Sequence, residues 1–394
     1  MRVTHVITRL IVGGAQENTI ASVLGLQRKA GVIVHLVAGP TTGPEGSLES
    51  RLAVVPDLLT LVPALVRPVH PWLDWRTLRE LTRFLGAQQP DIVHTHSGKA
   101  GILGRLAARR ARVPVIIHTI HGPSFGSFQG PWANLAFRFT ERYASRFTTH
   151  FVSVAQAMTD QYLAAGIGRP GQYTRIFSGF DLKPFLSATN DPALRARLGI
   201  APADFVVGKI ARLFKLKGHE DLFAAAPELV RRCPSLKFLL VGDGVWRQRF
   251  EKWARDLGLA DRFLFTGLVP PEEVPHYIGL MDVLVHLSRR EGLARALPQA
   301  LAAGKPIVAG DCDGAKEVCW NGQTGFLVRP GDTAELTERL VQLAADPALR
   351  ARFGRRGRQL VGASFSVEGM VEDLYALYQR LLNEHRKQSR NPCA

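Results

Sequence analysis

Short apolar runs alternate with amphipathic stretches along most of the chain, and this alternation predicts strands separated by helices. A first series of predicted strands covers residues 3–8, 32–38, 91–96, 113–119 and 149–154, and a second covers residues 205–212, 237–242, 262–267, 282–287, 305–310 and 324–328. Helices are predicted between them, for example over Trp72–Leu85 and Gly98–Arg110. Because strands that alternate with helices form parallel sheets covered on both faces, we expect an α/β fold with two doubly wound parallel sheets.

The length of 394 residues exceeds what one ordinary core holds and favours two domains. Hydrophobic periodicity lapses over residues 182–199, around Pro, Ser, Thr and Asn, so this segment is the predicted linker between domains 1–182 and 183–366. The last amphipathic stretch, Val367–Arg386, predicts a long helix, and the polar residues after it, to 394, predict a frayed tail. Open α/β sheets bind ligands beyond the carboxyl ends of their strands, so we expect the site in a cleft between the two domains.

The composition is that of a globular soluble protein, with 46% hydrophobic and 21% charged residues. Uncharged apolar runs are too short for a membrane-spanning helix, and the N-terminal apolar stretch is too short and interrupted for a signal peptide. The four cysteines contain no CxxC pair, which argues against a zinc site or a disulfide framework. These features favour a protein of the reducing cytoplasm.

The net charge is +16, and residues 1–180 contribute +10 of it, from 19 Lys or Arg and 9 Asp or Glu. Two basic clusters stand out, namely Arg105, Arg109, Arg110 and Arg112, then Arg138, Arg142 and Arg146. Such a field attracts nucleic acid, anionic lipid or phosphorylated substrates, although the same side chains are also compatible with simple solvation. Nucleic acid is not an expected partner, because the chain has no reader motif and no interleaving of aromatic with basic residues.

Residues 9–24 combine a strand end, a glycine turn and a helix start. Gly13 and Gly14 allow the backbone to approach a ligand closely, and the helix start offers N–H groups to an anion. The pattern is not GxGxxG, and no acid ends the second strand to hold an adenosine ribose, so a nicotinamide cofactor is disfavoured. The alternative is a tight turn with no ligand.

Histidines end two of the predicted strands. Of His118 and His121, only His121 lies in the loop after its strand, where it is able to line a cleft and bind a sugar hydroxyl or a phosphate. The alternative for His121 is a bond to loop backbone. His94 and His96 form an HxH pair, but no third ligand with suitable spacing is evident, so no metal is expected.

Two cations follow the first strand of the second series. Arg212 lies just after that strand and Lys217 just before a predicted helix. This placement suits a diphosphate, because a guanidinium binds two oxygens at once and an ammonium adds a mobile point charge. A solvated basic loop is the alternative.

A lone acid, Glu291, lies in a turn between a predicted strand and a predicted helix. We expect that helix to begin near Leu293 and Ala294, whose N–H groups are then able to hold a phosphate. Gln299 comes about two helical turns later and is expected close to the same azimuth as Glu291.

Seven motifs, in this order, make the chain resemble a family-4 glycosyltransferase of the GT-B fold, of the glycosyl transferases group 1. The motifs are GGAQ (13–16), TIHG (119–122), ARLFKLKG (211–218), LLVGDG (239–244), FTGLVPPEEVPHYIGLMDVLVHLS (265–288), EGLARALPQALAAGKPIVA (291–309) and NGQTGFLV (321–328). The resemblance covers nearly the whole chain. It implies two Rossmann-like domains facing a deep cleft, and a helix and tail at 367–394 that cross back onto the first domain.

The resemblance also implies a retaining enzyme that moves a sugar from a nucleotide diphospho-sugar, above all a UDP-sugar, without a cofactor or a metal. The expected catalytic residues are His121, beside the reacting face of the sugar, and Glu291, on the sugar hydroxyls. The expected donor-binding groups are the loop at Gly13 and Gly14, the diphosphate ligands Arg212 and Lys217, the backbone at Leu268 that reads the base, the phosphate-binding backbone of Gly292, Leu293 and Ala294, and Gln299.

The family pattern has a second acid where this chain has Gln299. In the family that acid accepts hydrogen bonds from the nucleotide ribose, and an amide keeps one carbonyl acceptor but loses the charge. We therefore expect donor affinity to be about ten-fold weaker, or ~1–2 kcal/mol, with catalysis retained.

The expected partners are a nucleotide-sugar donor and a glycan or lipid-linked acceptor, in the synthesis of lipopolysaccharide, exopolysaccharide or another bacterial surface glycan. The basic first domain favours peripheral contact with the anionic cytoplasmic face of the inner membrane. Two alternatives stay open. One is a non-catalytic GT-B-like partner subunit, favoured only by Gln299, and the other is a GT-B nucleotide-sugar epimerase or hydrolase.

Overall fold

The computed structural model describes residues 1–42, 46–126, 128–362 and 364–390. The chain forms two compact units. Unit 1 combines Met1–Phe180 with the segment from Ser366 onward, and unit 2 is Asp181–Phe365. The divisions fall after Phe180 and after Phe365, against the predicted 182 and 366.

Unit 1 contains a seven-stranded parallel sheet in the order β3-β2-β1-β4-β5-β6-β7. The strands are β1 (Arg2–Ile7), β2 (Ile33–Ala38), β3 (Leu59–Leu61), β4 (Ile92–His96), β5 (Val115–Ile120), β6 (His150–Ser153) and β7 (Tyr173–Arg175). Five of them were predicted. The sequence prediction missed β3 and β7, which have only three residues each and form the two edges of the sheet.

Helices cover both faces of the unit 1 sheet. They are α1 (Gly14–Gln27), α2 (Pro71–Gln88), α3 (Gly98–Arg110), α4 (Pro131–Ser145), α5 (Gln156–Ala164) and the C-terminal helix, labelled α14 (Val367–Arg390) after the eight helices of unit 2. Buried residues of α1 and α14 share a core with one face of the strands, and α2 and α3 pack against the other. Both faces of these strands are therefore buried, which explains their continuous apolar runs.

Unit 2 contains a six-stranded parallel sheet in the order β10-β9-β8-β11-β12-β13. The strands are β8 (Phe205–Ile210), β9 (Leu236–Val241), β10 (Phe263–Phe265), β11 (Val283–His286), β12 (Ile307–Gly310) and β13 (Gly325–Val328), and all six were predicted. The helices are α6 (Lys183–Leu186), α7 (Pro192–Arg197), α8 (His219–Arg232), α9 (Arg247–Asp256), α10 (Val274–Leu280), α11 (Ala296–Ala302), α12 (Thr333–Ala345) and α13 (Pro347–Gly362). Two Rossmann-like parallel-sheet units confirm the predicted α/β fold class.

The segment predicted as a linker, 182–199, belongs to unit 2 and contains the short helices α6 and α7. Asp191 caps α7 by accepting the N–H of Ala193 at 2.8 Å. The buried guanidinium of Arg195 donates to the carbonyl oxygens of Ala201 and Asp204, at 2.7 and 2.9 Å. The segment predicted as a linker is therefore an ordered part of unit 2, because caps and buried polar contacts order a segment that has little hydrophobic periodicity.

The C-terminal helix is longer than predicted and belongs to unit 1. It continues to Arg390, so the predicted frayed tail is helical as far as that residue, and residues 391–394 lie outside the described part. Phe180, where the first segment of unit 1 ends, pairs with Ser366, where its second segment begins. Over the described residues, no helix is long and apolar enough to cross a membrane.

One residue of the predicted basic clusters is not on the surface. Arg105 is 0% exposed and pairs with Glu141, which is 1% exposed, at 2.6 Å. Arg105 also donates to the carbonyl oxygen of Gly101 at 2.8 Å. Charged side chains are buried only when paired, so Arg105 is an internal structural residue and does not belong to a polyanion-binding surface.

Candidate active site

The predicted donor-binding residues of unit 2 lie along one edge of its sheet. Arg212 follows β8, Leu268 follows β10, and Glu291 follows β11. In the order β10-β9-β8-β11 these strands are parallel; β8 and β11 are neighbours, and only β9 lies between β8 and β10. Their carboxyl ends therefore lie at the same edge. The fold thus brings together residues that are up to 79 positions apart in the sequence, from Arg212 to Glu291.

Lys217 and Glu291 form an ion pair at this edge. Their side chains are 18% and 30% exposed, so both reach solvent while most of each lies in the protein. Burial, the largest single effect, acts to raise the pKa of Glu291. The charge and hydrogen bond of Lys217, together with His286 and the charge of Arg212, outweigh it, so the pKa lies below its usual value. Glu291 is therefore a carboxylate at neutral pH, able to accept hydrogen bonds but not to act as an acid.

Backbone contacts fix the loops that carry the pair. The N–H of Arg289 and the hydroxyl of Ser288 both donate to the carbonyl oxygen of Leu216, at 2.9 and 3.1 Å. The N–H of Glu291 donates to Asp313 Oδ2 at 2.8 Å. These bonds join the loops after β8, β11 and β12, so the ion pair belongs to a fixed arrangement of three chain segments.

Glycine is required beside Lys217. Gly218 precedes α8 with φ 66°, a conformation that L side chains rarely adopt. A Cβ at this position would lie 1.9 Å from the carbonyl oxygen of Leu287. The glycine lets the loop after β8 approach the end of β11, which is what brings Lys217 to Glu291.

The helix after Glu291 begins later than predicted. Its first residue is Ala296, so Leu293 and Ala294 precede it and Glu291 is not helical. The expectation that Glu291 and Gln299 share a helical azimuth is therefore wrong. The bond between the N–H of Gly314 and the carbonyl oxygen of Gly292, at 2.9 Å, holds this segment in a non-helical turn.

A group of buried polar atoms lies on the strands and helix that carry the ion pair. Lys209 Nζ, His219 Nδ1, Asp221 Oδ2 and both ring nitrogens of His286 are buried and make no hydrogen bond within the described residues. Burial lowers the pKa of Lys209 to about 7 and that of His286 to about 3, so His286 is neutral. His286 Nε2 lies 4.0 Å from Glu291 Oε1. This group was not predicted, although Lys209 and His286 interrupt otherwise apolar strands.

In unit 1, Gly13 and Gly14 lie at the start of α1, with Gly13 at the N-cap position and Gly14 as the first helical residue. The backbone of Gly13 is extended, with φ 173°, a conformation open to any residue. The backbone conformation at residue 13 therefore does not require a glycine.

His121 lies directly after β5 and contacts a second histidine, with its Nε2 3.0 Å from His96 Nδ1. His118 points to the other face of the sheet, where its Nδ1 lies 2.9 Å from Thr95 Oγ1. The structure thus separates the two histidines, as strand alternation predicted.

The HxH pair of β4 has a third histidine beside it, contrary to the sequence analysis. His5 of β1 is in register with His94, and one ring nitrogen from each of His5, His94 and His96 lies within 4.8 Å of the others. The nitrogens are engaged with one another and with neighbours: His5 Nδ1 lies 2.9 Å from His96 Nε2, and His94 Nε2 lies 2.6 Å from Thr119 Oγ1. The strand order of a doubly wound sheet, which sets β1 beside β4, was the signal that could have found His5.

Two family models match the chain. The model described as "Glycosyl transferase 4-like domain" matches residues 14–177, and that described as "Glycosyl transferases group 1" matches residues 190–360. The chain is 34% identical over 291 residues to the GDP-mannose-dependent alpha-(1-6)-phosphatidylinositol monomannoside mannosyltransferase of Mycolicibacterium smegmatis, covering 71% of this chain and 73% of that protein. It is 29% identical over 321 residues to the UDP-Gal:alpha-D-GlcNAc-diphosphoundecaprenol alpha-1,3-galactosyltransferase of Escherichia coli, covering 80% and 82%.

Among solved structures, that of Anabaena Alr3699/HepE in complex with UDP-glucose is similar over 96% of this chain and 100% of that chain, with a TM-score of 0.81 and 23% identity. This likeness covers both units and independently supports the fold. By these matches the chain belongs to the group 1, GT4-like glycosyl transferases, and it is a glycosyltransferase of the GT-B fold.

Proposed function

We propose that this glycosyltransferase moves a sugar, with retention of anomeric configuration and without a metal, from a UDP-sugar to a glycan or lipid-linked acceptor of a bacterial surface polysaccharide or lipopolysaccharide. The observation that carries this proposal is the Lys217–Glu291 ion pair beside Arg212 at the carboxyl edge of the unit 2 sheet. It puts two cations and one carboxylate where a sheet of this kind binds a ligand.

The two cations suit the leaving group. Negative charge grows on the departing diphosphate as the bond to the anomeric carbon breaks, and Arg212 and Lys217 stabilise that charge. Binding of a diphosphate draws Lys217 away from Glu291, which frees the carboxylate to accept hydrogen bonds from the sugar hydroxyls. One carboxylate therefore serves sugar recognition, and the leaving phosphate itself accepts the proton of the acceptor.

The relatives support a nucleotide-sugar donor, and their names contain two different nucleotides, UDP and GDP. The Escherichia coli relative is named for UDP-Gal and the HepE structure contains UDP-glucose, whereas the Mycolicibacterium smegmatis relative is named for GDP-mannose. We propose UDP, with the exposed loop at Leu268 reading the base and Gln299 contacting the ribose. The Escherichia coli and Mycolicibacterium smegmatis relatives also support a lipid-linked acceptor, because their names contain diphosphoundecaprenol and phosphatidylinositol.

Helix α4 supports contact with a membrane, because its apolar face points to solvent. Trp132, Leu135, Phe139 and Tyr143 are 82%, 59%, 69% and 49% exposed. Their spacing of three and four residues places them on one side of the helix. The opposite side contains the buried Glu141. An ordinary surface helix buries its apolar side, whereas α4 exposes it to solvent.

Basic residues border this apolar face. Arg142 and Arg146 of the α4 end are exposed, and so are Arg109 and Arg112 at the end of α3. Arg109, Arg112, Arg146 and His385 line a groove of about 490 Å³. An apolar stripe next to cations is typical of helices that lie in the interface of an anionic membrane. We propose that α4 and this groove hold the enzyme at the membrane that contains its acceptor.

The donor is tested by the shift in melting temperature with a panel of UDP- and GDP-sugars. We expect one UDP-sugar to stabilise the parent protein, by about 2.7 kcal/mol at a concentration near 100 times Kd. Arg212→Ala and Glu291→Ala should lose the shift, and Arg249→Ala, on α9 of the same unit, is the matched control that should retain it. A panel in which no nucleotide-sugar stabilises the parent protein contradicts the proposal.

The reaction is tested by incubating that donor with membrane extract and recording the anomeric configuration of the product by NMR, with and without EDTA. We expect retention and equal rates in both. Inversion or loss of activity with EDTA contradicts the corresponding part of the proposal. Release of free sugar or an epimer at the full rate without acceptor would favour the hydrolase or epimerase, and donor binding without turnover would favour the non-catalytic subunit.

A further inference from the structure

Four histidines of unit 1 form a continuous chain of hydrogen bonds with Tyr378 and Thr119. The chain starts at His121, whose Nε2 lies 3.0 Å from His96 Nδ1, and His96 Nε2 lies 2.9 Å from His5 Nδ1. The chain then passes from His5 Nε2 to the phenol oxygen of Tyr378 at 3.5 Å, and from that oxygen to His94 Nδ1 at 2.5 Å. His94 Nε2 ends it on the hydroxyl of Thr119 at 2.6 Å.

The interior members of the chain are uncharged. His5, His94, His96 and Tyr378 are buried. Burial lowers the pKa of His5 to about 3, lowers those of His94 and His96 well below the ordinary value, and raises that of the Tyr378 phenol. A neutral imidazole has one N–H and one bare nitrogen, and a phenol has one proton. Each link therefore has one donor, and the direction of any one link sets the direction of the rest.

The phenol of Tyr378 sets that direction. It lies 2.5 Å from His94 Nδ1 and 3.5 Å from His5 Nε2, and it has only one proton to donate. Hydrogen bonds in which a hydroxyl donates are the shorter kind, so the phenol donates to His94 and its oxygen accepts the N–H at Nε2 of His5. His94 then has its proton on Nε2 and donates to Thr119.

The same direction passes along the chain to His121. His5, with its proton on Nε2, has a bare Nδ1 that accepts the N–H at Nε2 of His96. His96 Nδ1 is then bare and accepts the N–H at Nε2 of His121. The neutral His121 ring is thereby left with its proton on Nε2, and any hydrogen bond that it makes outside the chain uses Nδ1 as an acceptor.

We propose that Tyr378, His5 and His96 are positioning residues that fix the tautomer of His121, so that its Nδ1 accepts a hydrogen bond from a hydroxyl group of the sugar. This inference deepens the proposed function, and its catalytic consequence rests on that function. The residue types explain the assignment, because an acceptor nitrogen binds a hydroxyl and rejects the oxygens of a fully ionised phosphate. The group that His121 binds is thus a sugar hydroxyl and not a phosphate.

A metal ion is the rival occupant of the three buried histidines. It would need one nitrogen from each of His5, His94 and His96, and both nitrogens of each ring are already used in the chain. Binding a metal would therefore break the chain and release His121. Stoichiometric zinc that remains after dialysis of the purified protein, and that is lost in His5→Gln, would overturn the proposal.

The tautomers are measured directly by long-range ¹H–¹⁵N spectra of the full chain with ¹⁵N-labelled histidine, at a pH where His121 is neutral. We expect His5, His96 and His121 to have their protons on Nε2, and we assign them from single His→Gln variants. In Tyr378→Phe the proton of His5 loses its acceptor, so the chain reverses and the proton of His121 moves to Nδ1. Mixed tautomers in the parent protein, or an unchanged His121 in Tyr378→Phe, would overturn the proposal.

Steady-state kinetics of the same variant are the second test. We expect Tyr378→Phe to lower kcat about five-fold while KM for the donor stays within about two-fold, because an unsatisfied buried N–H disfavours the active tautomer by about this factor. Tyr173→Phe is the matched control, since its hydroxyl donates to the carbonyl oxygen of Ile167 at 2.7 Å, outside the chain. Equal losses in the two variants would overturn the catalytic part. If the parent protein transfers no sugar, the proposed function fails, and the spectra still decide the tautomer.

Discussion

Phe139→Ala tests whether the exposed apolar face of α4 enters a membrane. Phe139 is 69% exposed and lies in the middle of the stripe formed by Trp132, Leu135 and Tyr143. Its ring makes little contact with the rest of the protein, so its removal should leave stability within about 0.5 kcal/mol of the parent value. Membrane affinity is then measured apart from folding.

The magnitude follows from the exposed area of the ring. An exposed fraction of 69% leaves roughly 140 Å² of a side chain of ~200 Å² to be buried. At ~25 cal/mol per Å², complete immersion would contribute about 3.5 kcal/mol. A helix in the interface reaches only the boundary of the acyl chains. We therefore expect about half of that value, ~2 kcal/mol, which is a partition coefficient about 30-fold lower.

The cations add a second contribution to the free energy of membrane binding, and this contribution depends on salt. Each Arg near an anionic surface contributes ~1 kcal/mol, so Arg146→Ala should weaken binding about five-fold in low salt. Salt shortens the Debye length to ~3 Å at 1 M, and the effect of Arg146→Ala should vanish there, whereas that of Phe139→Ala should persist.

The assay is co-sedimentation with vesicles of phosphatidylglycerol and phosphatidylethanolamine, compared with phosphatidylcholine alone. Ile33→Ala is the matched control, because Ile33 is 61% exposed on β2 of the same unit and is not part of α4. Binding of Phe139→Ala within two-fold of the parent protein would contradict insertion of the apolar face of α4. Equal binding of the parent protein to neutral and anionic vesicles would contradict the role of the cations.

Four further outcomes are expected from the structure. Glu141→Ala should lower the free energy of unfolding by ~3–5 kcal/mol in chemical denaturation, because it leaves the buried Arg105 unpaired; a loss below 1 kcal/mol would mean that water reaches this pair. Gly218→Ala should abolish the donor-induced shift in melting temperature, because its Cβ would lie 1.9 Å from a backbone oxygen beside the Lys217 loop; a normal shift would show that the loop has room. Gln299→Glu should tighten donor binding about ten-fold in calorimetry, through a charged bond to the ribose; equal or weaker affinity would contradict the ribose contact. Lys209→Met should stabilise the fold by up to a few kcal/mol, at ~1.4 kcal/mol per pKa unit. Because the pKa of Lys209 is about 7 when folded and 10.5 otherwise, the gain should be full below pH 7 and fade by pH 10.5, as measured by urea unfolding across that range; a gain independent of pH would show that packing, not charge, is responsible.

The sheets were predictable from the sequence because a parallel strand is buried on both faces and leaves an apolar run. β3 and β7 escaped because three residues at a sheet edge carry too little of that pattern. The order within the segment predicted as a linker, 182–199, was not predictable from this pattern either. Its order comes from the Asp191 cap and the contacts of Arg195 with distant carbonyl oxygens, and hydrophobic periodicity does not register such contacts.

The locations of Arg212, Lys217 and Glu291 were also predictable, because residues just after parallel strands meet at one edge. The start of α11 was not. Local sequence favours a helix from Leu293, but bonds from Gly314 and to Asp313, which are distant in sequence, hold the preceding turn. Propensity yields to tertiary contacts in such a segment.

The complete chain of hydrogen-bonded histidines was not predictable from the sequence. His5 could have been found from strand order, since β1 and β4 are neighbours in the sheet. Tyr378 could not, because the rotation of α14 against the sheet depends on how both surfaces pack and not on any local motif. It lies 373 residues from His5 in the sequence.

The distance in sequence between the two segments of unit 1 affects the order in which the two units fold during synthesis. Unit 1 takes α14 from the segment that follows unit 2, and Met370, Val371, Leu374 and Leu377 of this helix complete its core. On the ribosome, unit 2 is finished while the core of unit 1 is still open on one face. Domains usually fold in the order of synthesis, but unit 1 is complete only after α14, which is synthesised later than unit 2. Unit 1 should therefore depend on chaperones longer than unit 2, and a nonsense mutation before Val367 should leave unit 2 folded and unit 1 open to proteolysis.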